Sequence, residues 1–546
     1  MRRTIARLTV GAYAALALAC AAAAAPARTY TNPILYADYS DPDVIRVGAD
    51  YYLVASSFHF SPGIPVLQSR DLVHWKIAGH VLPKLGFHPS YDLPAPTTLT
   101  DSTSKPVGEG TRYAGGVWAP SLRYHQGKFY VYWATPGEGI FMSTASTPAG
   151  PWSAPVAVLA GAGYEDPCPF WDDDGKAYLV HSKVGAGPLI LHAMSADGST
   201  LQDAGKTIVD DKVNLPVLEG PKLYKRHGYY YIFAPIGGVG TGAQAVLRSK
   251  AIAGPYESRP VLKPGNGLNG PHQGGYVETP SGQGWFIHFN STGAFGRIAY
   301  LEPVQWRDDW PLIGEPVADD TAGLPVASHA YPDTGVAADD TRLQDSDEFS
   351  GPTLGLQWSW NHNPDDSRWS LDQRRGYLRI EAGKAKYLVG ARNTLTQILQ
   401  GPDSEITTRI ELAGLAEHQR AGLALFGVKV PWIGIVREGG INYVSYSNAG
   451  EELRGPAING GAIVLRAHVR ADQSVQFFYA RENKGGFTAF GPVTPLAQFS
   501  WWKGSRPALF TYIKADADEP KPAASNKAAI TRNYIDVDWF RVSPER

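Results

Sequence analysis

The sequence predicts an all-β chain, a five-bladed β-propeller followed by a β-sandwich. Three observations carry this. Five segments between residues 40 and 286 repeat one grammar. Each pairs two apolar runs around a short glycine turn, the pattern of a β-hairpin. From Asp347 onward that grammar gives way to apolar–polar alternation of period two, over about 200 residues.

Taken in order, the chain opens with Arg2, Arg3 and Arg7, then an Ala- and Leu-rich apolar stretch, then Ala25-Pro26-Ala27. That order predicts an export signal over 1–27 with a small-residue cleavage site, and hence a secreted or periplasmic protein. Ala is too weakly apolar for a membrane anchor here, and no later segment is long and apolar enough to span a bilayer.

The repeated units run through 28–317. They open at Ser40-Asp41-Pro42, Trp118-Ala119-Pro120, Glu165-Asp166-Pro167, Glu219-Gly220-Pro221 and Pro271-His272-Gln273. Each leads through an apolar strand and a turn such as Asp174-Gly175 or His227-Gly228 into an aromatic strand such as Tyr229-Tyr230-Tyr231-Ile232-Phe233. The openings at 41, 119, 166, 219 and 272 lie about 58 residues apart on average. A four-stranded propeller blade with its loops needs a spacing of this order. Helical periodicity is lacking, which excludes a helical solenoid. A stretch rich in Asp, Ala, Pro and Thr, 318–346, reads as a linker. Runs such as Ile406-Thr407-Thr408-Arg409-Ile410 and Tyr534-Ile535-Asp536-Val537 then build an antiparallel sandwich over 347–546.

Composition narrows the function. A net charge of −2 and no basic stripe argue against nucleic acid as a partner. With Cys20 in the leader, the mature chain keeps only Cys168. It can form no internal disulfide and has no C-x-x-C metal or redox motif. Cys168 reads as a buried small side chain. Asp172-Asp173-Asp174-Gly175 has consecutive rather than alternating acids, so it is a hairpin turn and not a calcium loop. Aromatic residues make up 11% of the chain, which suits both strand cores and a surface for sugar rings.

In a propeller the first strand of each blade lines the central channel. The unit openings therefore converge on one axis and bring Asp41, Asp166 and Glu219 together. Like charges crowded in a poorly solvated pocket raise at least one pKa. An ionised base and a protonated acid can then coexist, as glycosidic bond cleavage requires.

Thr31-Asn32-Pro33-Ile34-Leu35 through Ser40-Asp41-Pro42-Asp43, Trp118-Ala119-Pro120-Ser121, Glu165-Asp166-Pro167, Leu218-Glu219-Gly220-Pro221 and His272-Gln273-Gly274-Gly275 resemble glycoside hydrolase family 43. Trp358-Ser359-Trp360-Asn361-His362-Asn363-Pro364 resembles the concanavalin A-like C-terminal sandwich of that family's β-xylosidases. The resemblance covers essentially the whole mature chain. It implies an inverting single displacement. Asp41 matches the general base, Glu219 the general acid, and Asp166 the third carboxylate that tunes and orients the acid. Acid and base are then expected about 6.5–9.5 Å apart, with room for water.

The resemblance further implies that Arg297 binds sugar hydroxyls, that Phe58 and Trp118 wall the terminal subsite, and that His272 is the central histidine. No cofactor is required and no metal ligand is assigned, although in relatives a calcium ion in the channel lies near that histidine. Gly237 to Gly242 are expected to shape the pocket, small Ala243 to open its aglycone side, and an aromatic of the sandwich, with Phe510 as candidate, to reach over it. The substrate class is xylan-derived oligosaccharide, with β-xylosidase as the first reading and α-L-arabinofuranosidase or arabinanase as the alternative. A non-catalytic carbohydrate-binding propeller is the rival of another class.

Overall fold

The computed structural model describes residues 28–94, 111–337, 340–481, 486–515 and 532–544. The predicted export segment lies outside them. Five four-stranded antiparallel sheets follow one another along the chain, and they are the five blades of the propeller. Their innermost strands are Asp43–Val47, Trp118–His125, Tyr164–Trp171, Lys222–Arg226 and His272–Glu278. Tight glycine turns join each to the next strand, for example Lys222–Arg226 to Tyr229–Ile236 with Tyr224 opposite Tyr231.

Residues just past the openings staple the blades together around the axis. Asp43 accepts from Arg123 Nη1 at 2.7 Å and from the Leu122 N–H at 2.8 Å. Arg123 Nη2 reaches Cys168 Sγ at 2.9 Å, and the Leu223 N–H reaches the same sulfur at 3.3 Å. Tyr224 Oη accepts from the Tyr276 N–H at 2.9 Å. The fully buried Cys168 is thus a packing residue at the axis. Gly275 completes the ring. A Cβ there would stand 2.7 Å from Val44 N and 2.9 Å from Asp43 Oδ1, so only glycine lets the fifth blade lie this close to the first.

The N-terminal segment closes the propeller from outside. Leu35 pairs with Ala299, and Asn32 Nδ2 donates to the carbonyls of Leu301 and Val326. Within 318–346 the chain runs along the propeller surface. Ser328–Ala330 pairs with Thr29–Thr31, and Gln344 bonds both N–H and C=O of Ile77.

Beyond that segment two large sheets face each other across an apolar core that includes Leu378, Ile406, Leu423, Ile463, Phe477 and Val537. One of these sheets is continued by the propeller's own Phe60–Ser61, which pairs with Ser359–Asn361. The side chain of Asn363 bonds both backbone groups of Leu85. The motif Trp358 to Pro364 is therefore the seam between the two parts. Among the described residues no helix is long and apolar enough to cross a membrane.

Candidate active site

At one mouth of the propeller channel, residues from every blade opening line a cavity of about 420 Å³. Asp41, Asp166, Glu219, Phe58, Trp118, His272 and Arg297 all face it, so the seven residues singled out from sequence share one site. A larger hollow, about 690 Å³, opens among Tyr224, Trp306 and Arg226 and contains none of the three acids.

The openings do not all share one register. Asp41, Asp166, Gly220 and Gln273 occupy equivalent places, each in the left-handed region, with φ of 53°, 55°, 59° and 39°. Glu219 therefore aligns with Glu165, Ser40 and His272 rather than with Asp166. The left-handed residue accompanies a bulge where the inner strand begins, between Glu165 and Cys168 and again between His272 and Gly274. A bulge re-aims neighbouring side chains, so two adjacent positions can both serve the cavity. Asp tolerates this conformation better than most residues. Gly220 has a separate reason: a Cβ there would meet the Gln273 side chain at 2.8 Å.

The acids are held differently. Asp41 is buried and receives Arg297 Nη1 on Oδ1 at 2.7 Å and Ser56 Oγ on Oδ2 at 2.5 Å. Such charge-assisted bonds are short and fix the orientation of the carboxylate. Asp166 Oδ2 accepts the Gly220 N–H at 2.8 Å. Glu219 Oε1 lies 2.8 Å from His272 Nε2. A fourth carboxylate, Glu165, belongs with them: atoms of Glu165, Asp166 and Glu219 lie within 4.8 Å of one another, and Asp41 stands outside that cluster. Burial, then the charges of Glu219 and Asp41, push Asp166 up to about 7. Burial, then the charges of Asp166 and Glu219, push Glu165 up to about 9.

Beneath Asp166, the fully buried Lys222 directs Nζ to the Pro120 carbonyl at 2.9 Å and Ser121 Oγ at 2.7 Å. This ammonium supplies the positive charge that partly offsets the acids. His272 Nε2 is engaged by Glu219, Nδ1 is a buried nitrogen without a partner, and no cluster of three carboxylate, His or Cys ligands includes His272 among the described residues.

The sandwich also enters the site. Trp501 and Trp502, at φ of 53° and 67°, form a tight turn between Ser500 and Lys503. Two consecutive positive φ values are the signature of a type I′ turn, in which bulky residues are rare. Trp501 points into the seam beside Tyr113, and Trp502 lines the cavity with its ring 6.4 Å from that of Trp118. Phe510, the candidate from sequence, is instead buried against Trp432 in the apolar cluster that joins the sheet to Phe60 and Tyr113 of the propeller, on the opposite face from Leu509, which points into the sandwich core. Lys503 and Gly504 complete the approach: Lys503 Nζ lies 3.5 Å from Asp38 Oδ2, and the Gly504 N–H donates to the same oxygen at 2.9 Å. Asp38 Oδ1 holds Ser40 Oγ at 2.9 Å and the Arg297 N–H at 3.0 Å, on either side of the base–arginine pair. Gly238 and Val239 line the cavity; Ala243 begins a strand and is not among its lining residues.

Glu165, Trp502, Asp38 and Lys222 were not reached from the sequence. Glu165 had a signal in its adjacency to Asp166. Trp501-Trp502-Lys503-Gly504 had one as a break in the alternating pattern. Asp38 and Lys222 had none.

The sequence profile of glycosyl hydrolases family 43 matches residues 30–311. The chain belongs to that family. The profile of the beta-xylosidase C-terminal concanavalin A-like domain matches 346–543. Like other members of this family of inverting glycosidases, the chain is a glycoside hydrolase acting on oligosaccharides. A Xylanibacter ruminicola protein provisionally named a beta-xylosidase is 46% identical over 75% of this chain and 73% of its own length. A beta-xylosidase of Formosa agariphila is 33% identical over 94% of this chain and 90% of its own. A solved family 43 enzyme engineered for both endo-xylanase and exo-arabinofuranosidase activity superposes with a TM-score of 0.80 at 27% identity, over 94% of this chain and all of that one.

Proposed function

We propose that this family member is an inverting exo-β-xylosidase acting on xylan fragments, with Asp41 as base, Glu219 as acid and Asp166 as the carboxylate that tunes the acid. The observation that carries the reading is the separation of Asp41, paired with Arg297, from the cluster of Glu165, Asp166 and Glu219 across one cavity. In this mechanism the base takes a proton from a water molecule, which attacks the anomeric carbon. The acid delivers its proton to the leaving oxygen from the other face. Phe58, Trp118 and Trp502 wall the terminal sugar; a recess closed by a loop of the sandwich favours exo over endo action. The names of the two relatives support β-xylosidase. An α-L-arabinofuranosidase reading is favoured by a Bacteroides ovatus non-reducing end alpha-L-arabinofuranosidase, 35% identical over 65% of both chains.

A panel of aryl β-xyloside, aryl α-arabinofuranoside and arabinan, with the anomer of the first product read by NMR, tests this. Fastest release from the β-xyloside, with α-xylose appearing first, is expected; β-xylose first would exclude inversion. Glu219→Gln should abolish hydrolysis of natural xylo-oligosaccharides. On an aryl xyloside with a good leaving group, Glu219→Ala should recover much of its rate while Asp41→Ala stays about 10³-fold down, because water still needs a base. Equal behaviour of the two would reverse the assignment of roles. The reaction needs no metal in this reading, since Lys222 supplies the channel's positive charge, so a calcium chelator should leave kcat unchanged. Export through the first 27 residues belongs to the same proposal; a mature N-terminus near Arg28 by mass spectrometry would support it.

A further inference from the structure

We propose that Glu165 is held as the neutral acid and donates a hydrogen bond from Oε2 to a hydroxyl of the sugar in the cavity. The proposal rests on the hydrolase reading and names a binding residue within it.

Glu165 is buried yet lines the cavity. Its two oxygens have different surroundings. Oε1 accepts the Ala186 N–H at 3.0 Å and Ser182 Oγ at 3.5 Å. Oε2 has no protein partner among the described residues. In the hydrolase reading Glu219, as the acid, carries a proton at rest; beside it Glu165 and Asp166, all within 4.8 Å of one another, cannot both be ionised in a buried site, so a second proton resides on that pair. Their partners decide where. Asp166 has the Gly220 N–H and the field of Lys222. Glu165 has only neutral donors and no cation. The proton therefore belongs on Glu165. Oε1, already accepting two bonds, is the carbonyl oxygen, and Oε2 carries the hydrogen. Burial and the two neighbouring acids push Glu165 up to about 9, in accord with that assignment.

A buried carboxylic acid kept neutral at pH 7 is a hydrogen-bond donor, as ketosteroid isomerase illustrates. A donor aimed into a sugar pocket discriminates by demanding a hydroxyl, since a substrate lacking it leaves the buried O–H unpaired. Glu165 would thus help decide which sugar fits the terminal subsite.

The test compares Glu165→Gln and Glu165→Ala on the aryl glycoside that the wild type cleaves best and on its monodeoxy analogues. Gln keeps the shape and an N–H donor, so kcat/KM should fall no more than about fivefold. Ala should lose about 10–100-fold, chiefly in KM, and that loss should nearly vanish on one monodeoxy analogue. The infrared spectrum provides a readout independent of turnover: a buried protonated-carboxyl band at pH 7, absent in Glu165→Gln. Gln as damaging as Ala, with the loss in kcat and no acid band removed, would overturn the proposal in favour of an ionised Glu165. Equal loss on every deoxy analogue would overturn the hydroxyl contact. A wild type that cleaves no aryl glycoside while showing the acid band would instead refute the hydrolase reading and leave the protonation standing.

Discussion

Four carboxylates share the cavity, but only Asp41 has a guanidinium, and this asymmetry governs how the site responds to pH. Asp166 and Glu165 are both raised, so folding favours their neutral forms. Their contribution to stability is fully present below the ordinary carboxylate range near pH 4. It is lost as pH rises through about 7 for Asp166 and about 9 for Glu165. Permanently neutral variants escape that loss. Asp166→Asn and Glu165→Gln should match the wild-type Tm near pH 4 and exceed it by roughly 2–4 °C or more at pH 9, each kcal/mol being worth about that much in a domain of this size. A calorimetric Tm gap that does not widen with pH would refute the crowding. Active sites commonly trade stability for function in this way.

At the level of elements, the inner strands do two jobs. Their openings present side chains to the cavity, and the residues just beyond bind blade to blade through Asp43, Arg123, Cys168, Tyr224 and Tyr276. The joint between the last blade and the first leaves no room for a side chain at Gly275. Gly275→Ala would press a methyl group against Val44 N and Asp43, and either strand must shift. Overpacking of this kind costs about 1–3 kcal/mol. A Tm drop of several degrees is expected, with kcat falling as well because Asp41 lies two residues from Asp43. Unchanged melting would mean that the ring is looser than its contacts indicate.

Across the whole molecule, the sandwich helps to build the cavity that holds the acids. Its Trp502 walls the cavity, and its Lys503 and Gly504 grip Asp38, which in turn holds Ser40 and Arg297. Trp502→Ala should raise KM about tenfold, the equivalent of about 1.4 kcal/mol of lost contact, with little change in kcat. Lys503→Met should lower kcat instead, because it loosens the support behind the base–arginine pair rather than the wall of the sugar site. Steady-state kinetics separate the two effects. The same rise in KM for both variants would reduce the sandwich loop to a passive wall.

The sequence by itself determined the blade count, the change of grammar near Asp347 and the convergence of Asp41, Asp166 and Glu219 on one cavity, while Phe58, Trp118, His272 and Arg297 followed from the family resemblance. Hairpins, glycine turns and strand alternation are local codes, and a repeat places equivalent positions around one axis without any knowledge of packing. Only the tertiary structure decided which carboxylate stands beside which. The bulges put Glu165 in register with Glu219, a shift of one residue that linear spacing does not reveal. Tertiary structure also decided that Trp502, not Phe510, lines the cavity, and that Lys222 and Asp38 stand behind the acids. Those choices depend on contacts between residues far apart in the chain, where burial and charge act through space.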